Sequence, residues 1–266
     1  MAGDKRVICK PEDRRVFREL SHFLVSSENE ARPVSELVVM VGKFFLGSPY
    51  AGGTLERRGA EKLVVNLRQF DCFTLVENAV VLARMIGAGK RDFAGYAASL
   101  ERVRYRGGYL NGYASRLHYF SDWLRGNQRK HILRDVTREI GGRPLPGAIN
   151  FMTKHPGRYP ALKNREVYRE MLAVEKQCSR RRLFHIPKRD LKDIEDGIRD
   201  GDLIGIATDA EGLDVVHAGL AVRVKKRIHL LHASRPAGKV VVSPETLSRY
   251  LAADKIRAGI MVGRMQ

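Results

Sequence analysis

The sequence predicts an α+β fold in which helices come first and an antiparallel sheet follows. Apolar residues recur at helical spacing through the first part of the chain, and five short β-rich runs close it between Asp202 and Val262. The 266 residues are 44% hydrophobic, enough to bury a core as a single domain spanning 1–266.

Pro11 to Ser26 reads as a first helix, because Val16, Phe17, Leu20, Phe23 and Leu24 lie three to four residues apart. Ser35 to Leu46 reads as a second. Gly47-Ser48-Pro49-Tyr50-Ala51-Gly52-Gly53 then interrupts regular structure, and a polar stretch leads to Asp71. From Asp71, a good N-cap, a third helix runs to about Met85 with Cys72, Val76, Ala79, Val80 and Ala83 as its buried stripe. Arg102 to Asn127 interleaves arginine, glycine and aromatics, and Arg143 to Lys163 carries four prolines; neither reads as regular core. The stretch 102–165 is therefore expected to be a helical and loop insertion that shapes a substrate site. A helix near Asn164 to Ser179 follows, then strands at Asp202–Thr208, Val215–Val224, Ile228–Ala233, Lys239–Val242 and Ile256–Val262.

The formal net charge of +18 favours contact with something anionic: nucleic acid, a membrane surface or a carboxylate-rich substrate. Three cysteines, Cys9, Cys72 and Cys178, exclude a disulfide framework and leave at least one thiol free. No apolar run is long enough to span a bilayer, and Met1 to Lys10 has no signal-peptide core, so no stable membrane insertion is expected. The expected location is cytoplasmic, or the cell envelope or periplasm if a leader has been removed. No histidine and cysteine cluster has zinc spacing and no glycine-rich loop suggests a nucleotide, so neither metal nor cofactor is expected.

A thiol attacks as thiolate, and a helix N-terminus favours that form, which singles out Cys72 from Cys9 and Cys178. Among eight histidines, hairpin register selects the base. If Lys225-Lys226 is the turn, Gly219 faces His232 and Val222 faces His229. His217 and His232 are then diagonal neighbours on one face, and His229 lies on the other. That is the arrangement needed to hold one imidazole beside a thiol and orient it with a second. Glu77, on the same helix as Cys72, reads as a structural hydrogen-bonding group.

Gly47 to Gly53, Asp71-Cys72, Gly201-Asp202-Leu203-Ile204, His217-Ala218-Gly219 and His232-Ala233-Ser234 occur in the order found in the NlpC/P60 superfamily of papain-like cell-wall hydrolases, which the chain resembles over nearly its whole length. More narrowly, it resembles the muramoyl-alanine-amidase-like branch, DUF1460. That likeness rests on Tyr50 to Glu56, Val64-Val65-Asn66-Leu67, Ser115 to Trp123 and Ile149-Asn150-Phe151-Met152. The resemblance implies a papain-like fold with Cys72 as nucleophile, His217 as base, His232 as third residue and Tyr50 beside the cysteine. Within the branch motifs, Arg116, His118, Tyr119 and Asn150 are the expected substrate contacts.

The implied substrate is a peptidoglycan-derived muropeptide cut between the lactyl group of N-acetylmuramic acid and L-alanine. In the superfamily's γ-D-glutamyl-diaminopimelate endopeptidases, a serine after the cysteine helps hold the free amine of L-alanine. Phe73 stands there instead. That departure disfavours the endopeptidase alternative and suits an L-alanine whose amine is blocked. Aromatic faces and arginine forks in the insertion suit sugar rings and peptide carboxylates. The same interleaving suits single-stranded RNA, the alternative of a non-catalytic basic module, but that reading leaves Cys72, His217 and His232 without a role. The expectation is therefore a muropeptide partner and no nucleic acid.

Overall fold

The structure, a computed structural model, describes residues 7–24 and 27–266. Its α-helices are α1 (Pro11–Leu24), α2 (Ser27–Glu30), α3 (Val34–Phe44), α4 (Cys72–Gly87), α5 (Phe93–Arg104), α6 (Phe120–Arg129), α7 (Phe151–Lys154), α8 (Arg165–Ser179), α9 (Leu191–Ile194) and α10 (Leu247–Ala252). The strands are β1 (Val7–Ile8), β2 (Leu63–Val64), β3 (Leu133–Asp135), β4 (Arg143–Leu145), β5 (Leu183–Pro187), β6 (Leu203–Thr208), β7 (Val215–Val224), β8 (Arg227–Ser234), β9 (Lys239–Thr246) and β10 (Arg257–Met265).

The main sheet runs β4-β5-β10-β6-β7-β8-β9, with β3 also on β10, and every pairing in it is antiparallel. Helix α4 lies between α3 and α5 on one side and strands β7 and β8 on the other. Its residues Thr74 to Ala83 are all buried, so it is a central helix rather than one with a single apolar stripe. Helix α3 comes so close to the sheet that a Cβ on Gly42 would sit 2.8 Å from Leu220 Cδ1. The main apolar core fills this layer, a second core lies on the opposite face under α10, and a third lies around α8 beneath the insertion.

The β7–β8 hairpin turns at Lys225 and Lys226, both in the left-handed region (φ 45° and 70°), the geometry of a two-residue primed turn. Val222 is opposite His229 and Leu220 opposite Leu231, the register the spacing implies.

Several expectations need correction. Val25 and Ser26, the expected end of the first helix, lie outside the described residues, and Phe23, one of its apolar residues at helical spacing, is 71% exposed. The stretch from Arg102 to Asn127 is not irregular throughout: Phe120, Trp123, Leu124 and Asn127 make the buried side of α6, and Trp123 is fully buried in the main core. Their three-to-four spacing is helical, but the neighbouring arginines and glycines dilute it. Strands β3, β4 and β5 were not anticipated, because each is short and owes its pairing to a distant partner.

Candidate active site

Asp71 sits extended before α4, and its side chain accepts hydrogen bonds from the N–H groups of Phe73 (3.1 Å) and Thr74 (2.8 Å). The Thr74 hydroxyl accepts from the Asp71 N–H at 3.0 Å, completing a capping box that fixes the first turn. Cys72 is the first residue of that turn. Backbone N–H groups of Ala218, Phe73 and Cys72 itself favour the thiolate. They are outweighed: burial first, and the Asp71 carboxylate second, push the thiol up to about 12. The helix start does favour the thiolate, as expected, but burial above all, and then the charge of the capping residue, outweigh it.

Ala218 follows His217 on β7, so the strand that meets the sulfur also carries the imidazole. His217 Nε2 is 2.6 Å from His232 Nδ1 on β8, and the two rings meet edge to face with centroids 4.8 Å apart. Burial, the neighbouring His232 and the cation of Arg257 lower His217 to about 3. Burial and Arg257, opposed by Glu245, lower His232 to about 4. Both rings are neutral at physiological pH, and one must donate to the other. For His217 to accept a proton on Nδ1, its Nε2–H donates to His232 Nδ1. His229 faces elsewhere, with Nδ1 2.9 Å from the carbonyl of Ser243.

Tyr50 is held from both sides. Its N–H donates to Gly238 O at 2.8 Å, and the segment around it bonds to Val240 on β9 and to Phe70, just before Asp71. Burial, then the charges of Cys72 and Asp71, raise the Tyr50 hydroxyl, with Arg235 opposing. Tyr250 on α10 completes the surround. Its ring centroid lies 5.3 Å from that of His232 and 6.3 Å from that of His217, and Arg257 stacks on it at 4.1 Å. Tyr250 and Arg257 were missed in the sequence, which offers no local signal for residues that reach the histidines only through tertiary packing. Phe73 packs edge-on to Phe120 (6.2 Å) and Trp123 (5.5 Å).

The expected substrate contacts separate from this centre. Arg116 is 5% exposed and its guanidinium is held by Glu56 and Glu61. Tyr119 is buried, its hydroxyl donating to Glu175 Oε1 at 2.6 Å and accepting from the Met152 N–H. As placed, Arg116 ties its segment to the loop after Tyr50, and Tyr119 ties its own to α8. His118 stacks on Tyr113 and bonds to its carbonyl. Asn150 Oδ1 is buried and has no protein hydrogen-bond partner. Glu77 is in a buried ion pair with Arg104, Nε to Oε2 2.8 Å, a structural role as the sequence suggests.

Comparison with known proteins agrees with this architecture. An N-acetylmuramoyl-L-alanine amidase from Bacteroides uniformis superposes with a TM-score of 0.84 at 36% identity, covering 88% of this chain and 99% of that one. A Bacteroides fragilis protein provisionally described as a xylanase is 39% identical, with a TM-score of 0.80 over 85% of this chain and 99% of that one. A Legionella pneumophila protein of the DUF1460 family, 19% identical, shares the fold with a TM-score of 0.73 over 96% of this chain and 94% of that one. No curated protein matches the chain. The sequence matches the N-acetylmuramoyl-L-alanine amidase-like (AmiA-like) family over residues 40–260, and on that match the chain belongs to it, an amidase-like hydrolase with a mixed α/β fold.

Proposed function

We propose that this chain is a papain-like cysteine amidase of NlpC/P60 type, hydrolysing the amide between the lactyl group of N-acetylmuramic acid and L-alanine in peptidoglycan fragments. The observation that carries the reading is the His217–His232 imidazole pair, Nε2 to Nδ1 2.6 Å, on the two strands against which the helix that begins at Cys72 packs.

The raised thiol and lowered imidazole make the resting pair neutral. Catalysis therefore runs by general base: His217 takes the thiol proton as Cys72 Sγ bonds to the lactyl carbonyl carbon. The resulting imidazolium is oriented by His232 and protonates the alanine nitrogen, the C–N bond breaks, and the peptide leaves. Water, deprotonated by the same imidazole, hydrolyses the thioester and returns the free thiol. The Cys72 N–H and the Tyr50 hydroxyl are the proposed oxyanion donors, a contribution of about 3 kcal/mol for each that is well placed.

Phe73, with Phe120 and Trp123 behind it, presents an aromatic surface beside Cys72, which suits a blocked L-alanine and offers nothing to pair a buried ammonium. This favours the amidase over the endopeptidase. A xylan-cleaving reading would need two carboxylates flanking a sugar bond. The two acidic residues nearest Cys72 in sequence are otherwise engaged, Asp71 as a helix cap and Glu77 with Arg104. The 102–165 insertion is proposed to shape the substrate site, and the cell envelope or wall recycling is the setting where such fragments occur.

Replacing Cys72 with serine tests the nucleophile. Cys72→Ser should fold and lose turnover, whereas Cys9→Ser and Cys178→Ser should retain it; appreciable hydrolysis by the Cys72 variant would remove the cysteine mechanism.

A further inference from the structure

Three rings meet where the imidazoles pair. The centroids of His217 and His232 are 4.8 Å apart, and that of Tyr250 lies 5.3 Å from His232 and 6.3 Å from His217. Such distances make a nearly equilateral triangle. Tyr250 therefore stands beside the hydrogen bond that joins the two imidazoles, not beyond either end of it. Its ring meets His232 at 75°, the edge-to-face contact that aromatic rings favour, and is tilted 34° from His217.

That ring is gripped from behind. Arg257, the first residue of β10, stacks its guanidinium 4.1 Å from the Tyr250 centroid and donates through Nη1 to the Tyr250 carbonyl, while its Nε lies 3.7 Å from Asp254 Oδ2. The packing of α10 does not depend on the same ring. Leu247 and Leu251 are its buried apolar residues in the second core, whereas Tyr250 is half-buried at the margin of that core.

Resting on the amidase reading above, we infer that Tyr250, clamped by Arg257, is a positioning residue that covers the His217–His232 hydrogen bond, keeps water out of it and fixes the plane of the His232 ring. The reason lies in the tautomer. His217 offers Nδ1 to the thiol only while its Nε2–H donates to His232 Nδ1. Water could take that proton's place or accept it, and a flipped His232 would present a carbon where Nδ1 now stands. Either change frees His217 to carry its proton on the wrong nitrogen. An aromatic ring packed against the pair closes both routes, and in drier surroundings the hydrogen bond itself is stronger. Burial is the first cause that lowers His217 to about 3 and His232 to about 4, as expected of a pair kept from water.

The test compares Tyr250→Ala with Tyr250→Phe on two readouts. With the muramoyl peptide as substrate, Tyr250→Ala should lower kcat about tenfold with KM little changed, because the ring acts on the base and not on the substrate. Tyr250→Phe keeps the ring and should restore most of the rate. The second readout needs no turnover. In Cys72→Ser, proton NMR should show the N–H between the imidazoles as a downfield resonance that exchanges slowly with water. Adding Tyr250→Ala should broaden it away, and adding Tyr250→Phe should retain it. If Tyr250→Ala does not fold, Tyr250→Leu, which fills the space without a flat ring, takes its place with the same expectations. An unchanged kcat in the ring-deleted variant would overturn the inference, and so would an equal loss in Tyr250→Phe, which would assign the role to the hydroxyl. A resonance absent from Cys72→Ser, or indifferent to loss of the ring, would overturn it as well. If the native protein leaves the lactyl–alanine amide uncut, the amidase reading fails, and the resonance alone decides whether Tyr250 covers the pair.

Discussion

At Cys72 the local helix and its surroundings pull in opposite directions. The first-turn N–H groups favour thiolate, but burial and the cap carboxylate of Asp71 win, and the histidine beside it is correspondingly hard to protonate. This has a kinetic consequence with a defined sign. His217 must be unprotonated to accept the thiol proton, and with its pKa lowered to about 3 it stays so well below the ordinary histidine range. The pH profile of kcat/KM should therefore lack an acid limb near about 6.5, the unperturbed histidine value. A limb centred there would mean an imidazole in an ordinary environment and would contradict the geometry. The orienting residue makes a second prediction: His232→Ala should lower kcat by about a hundredfold or more, since the correct tautomer of the base is lost. His229→Ala should cost much less, because His229 bonds Ser243 instead; equal losses would count against the pair. The placement of Cys72 at the start of a capped helix and of His217 beside His232 was legible because a capped helix and a two-residue hairpin are local and periodic. Tyr250 and Arg257 were not, since nothing local marks a residue whose role is to lie against another element.

Helix α4 shows how one element serves structure and chemistry through the same side chain. Asp71 closes the capping box and also opposes ionisation of the thiol. Asparagine caps about as well as aspartate but carries no charge. Asp71→Asn should therefore leave thermal stability within about 1 kcal/mol of the native protein, while the Cys72 thiol pKa falls and its alkylation near neutral pH quickens. Unchanged alkylation at unchanged stability would show that burial alone sets the thiol. Elements with strong periodicity, α1, α3, α4, α8 and β6 to β10, could be read in advance to within a few residues. The short strands β3 to β5 could not, because β10 and neighbouring edges stabilise them, and α6 was hidden by arginines and glycines on its outer side.

For the whole molecule, the helical layer carries the thiol, the sheet carries the imidazoles, and the third core joins residues 113–162 to α8. Among the described residues, the basic excess resolves into two populations: arginines in ion pairs, such as Arg106 and Arg181 with Asp122, and exposed cations without an ion partner, such as Arg57, Arg58 and Lys163. Charge count alone could not separate them, and in the sequence it was Cys72, His217 and His232, not the charge, that favoured a muropeptide over nucleic acid. The central claim is the bond that is broken. N-Acetylmuramoyl-L-alanyl-γ-D-glutamyl-diaminopimelate and the sugar-free tripeptide should be incubated separately with the native protein and the products weighed. The account predicts release of intact tripeptide and free N-acetylmuramic acid from the first, with the second left nearly whole. Cleavage of the free tripeptide after D-glutamate, with the sugar–peptide amide of the muropeptide untouched, would contradict it.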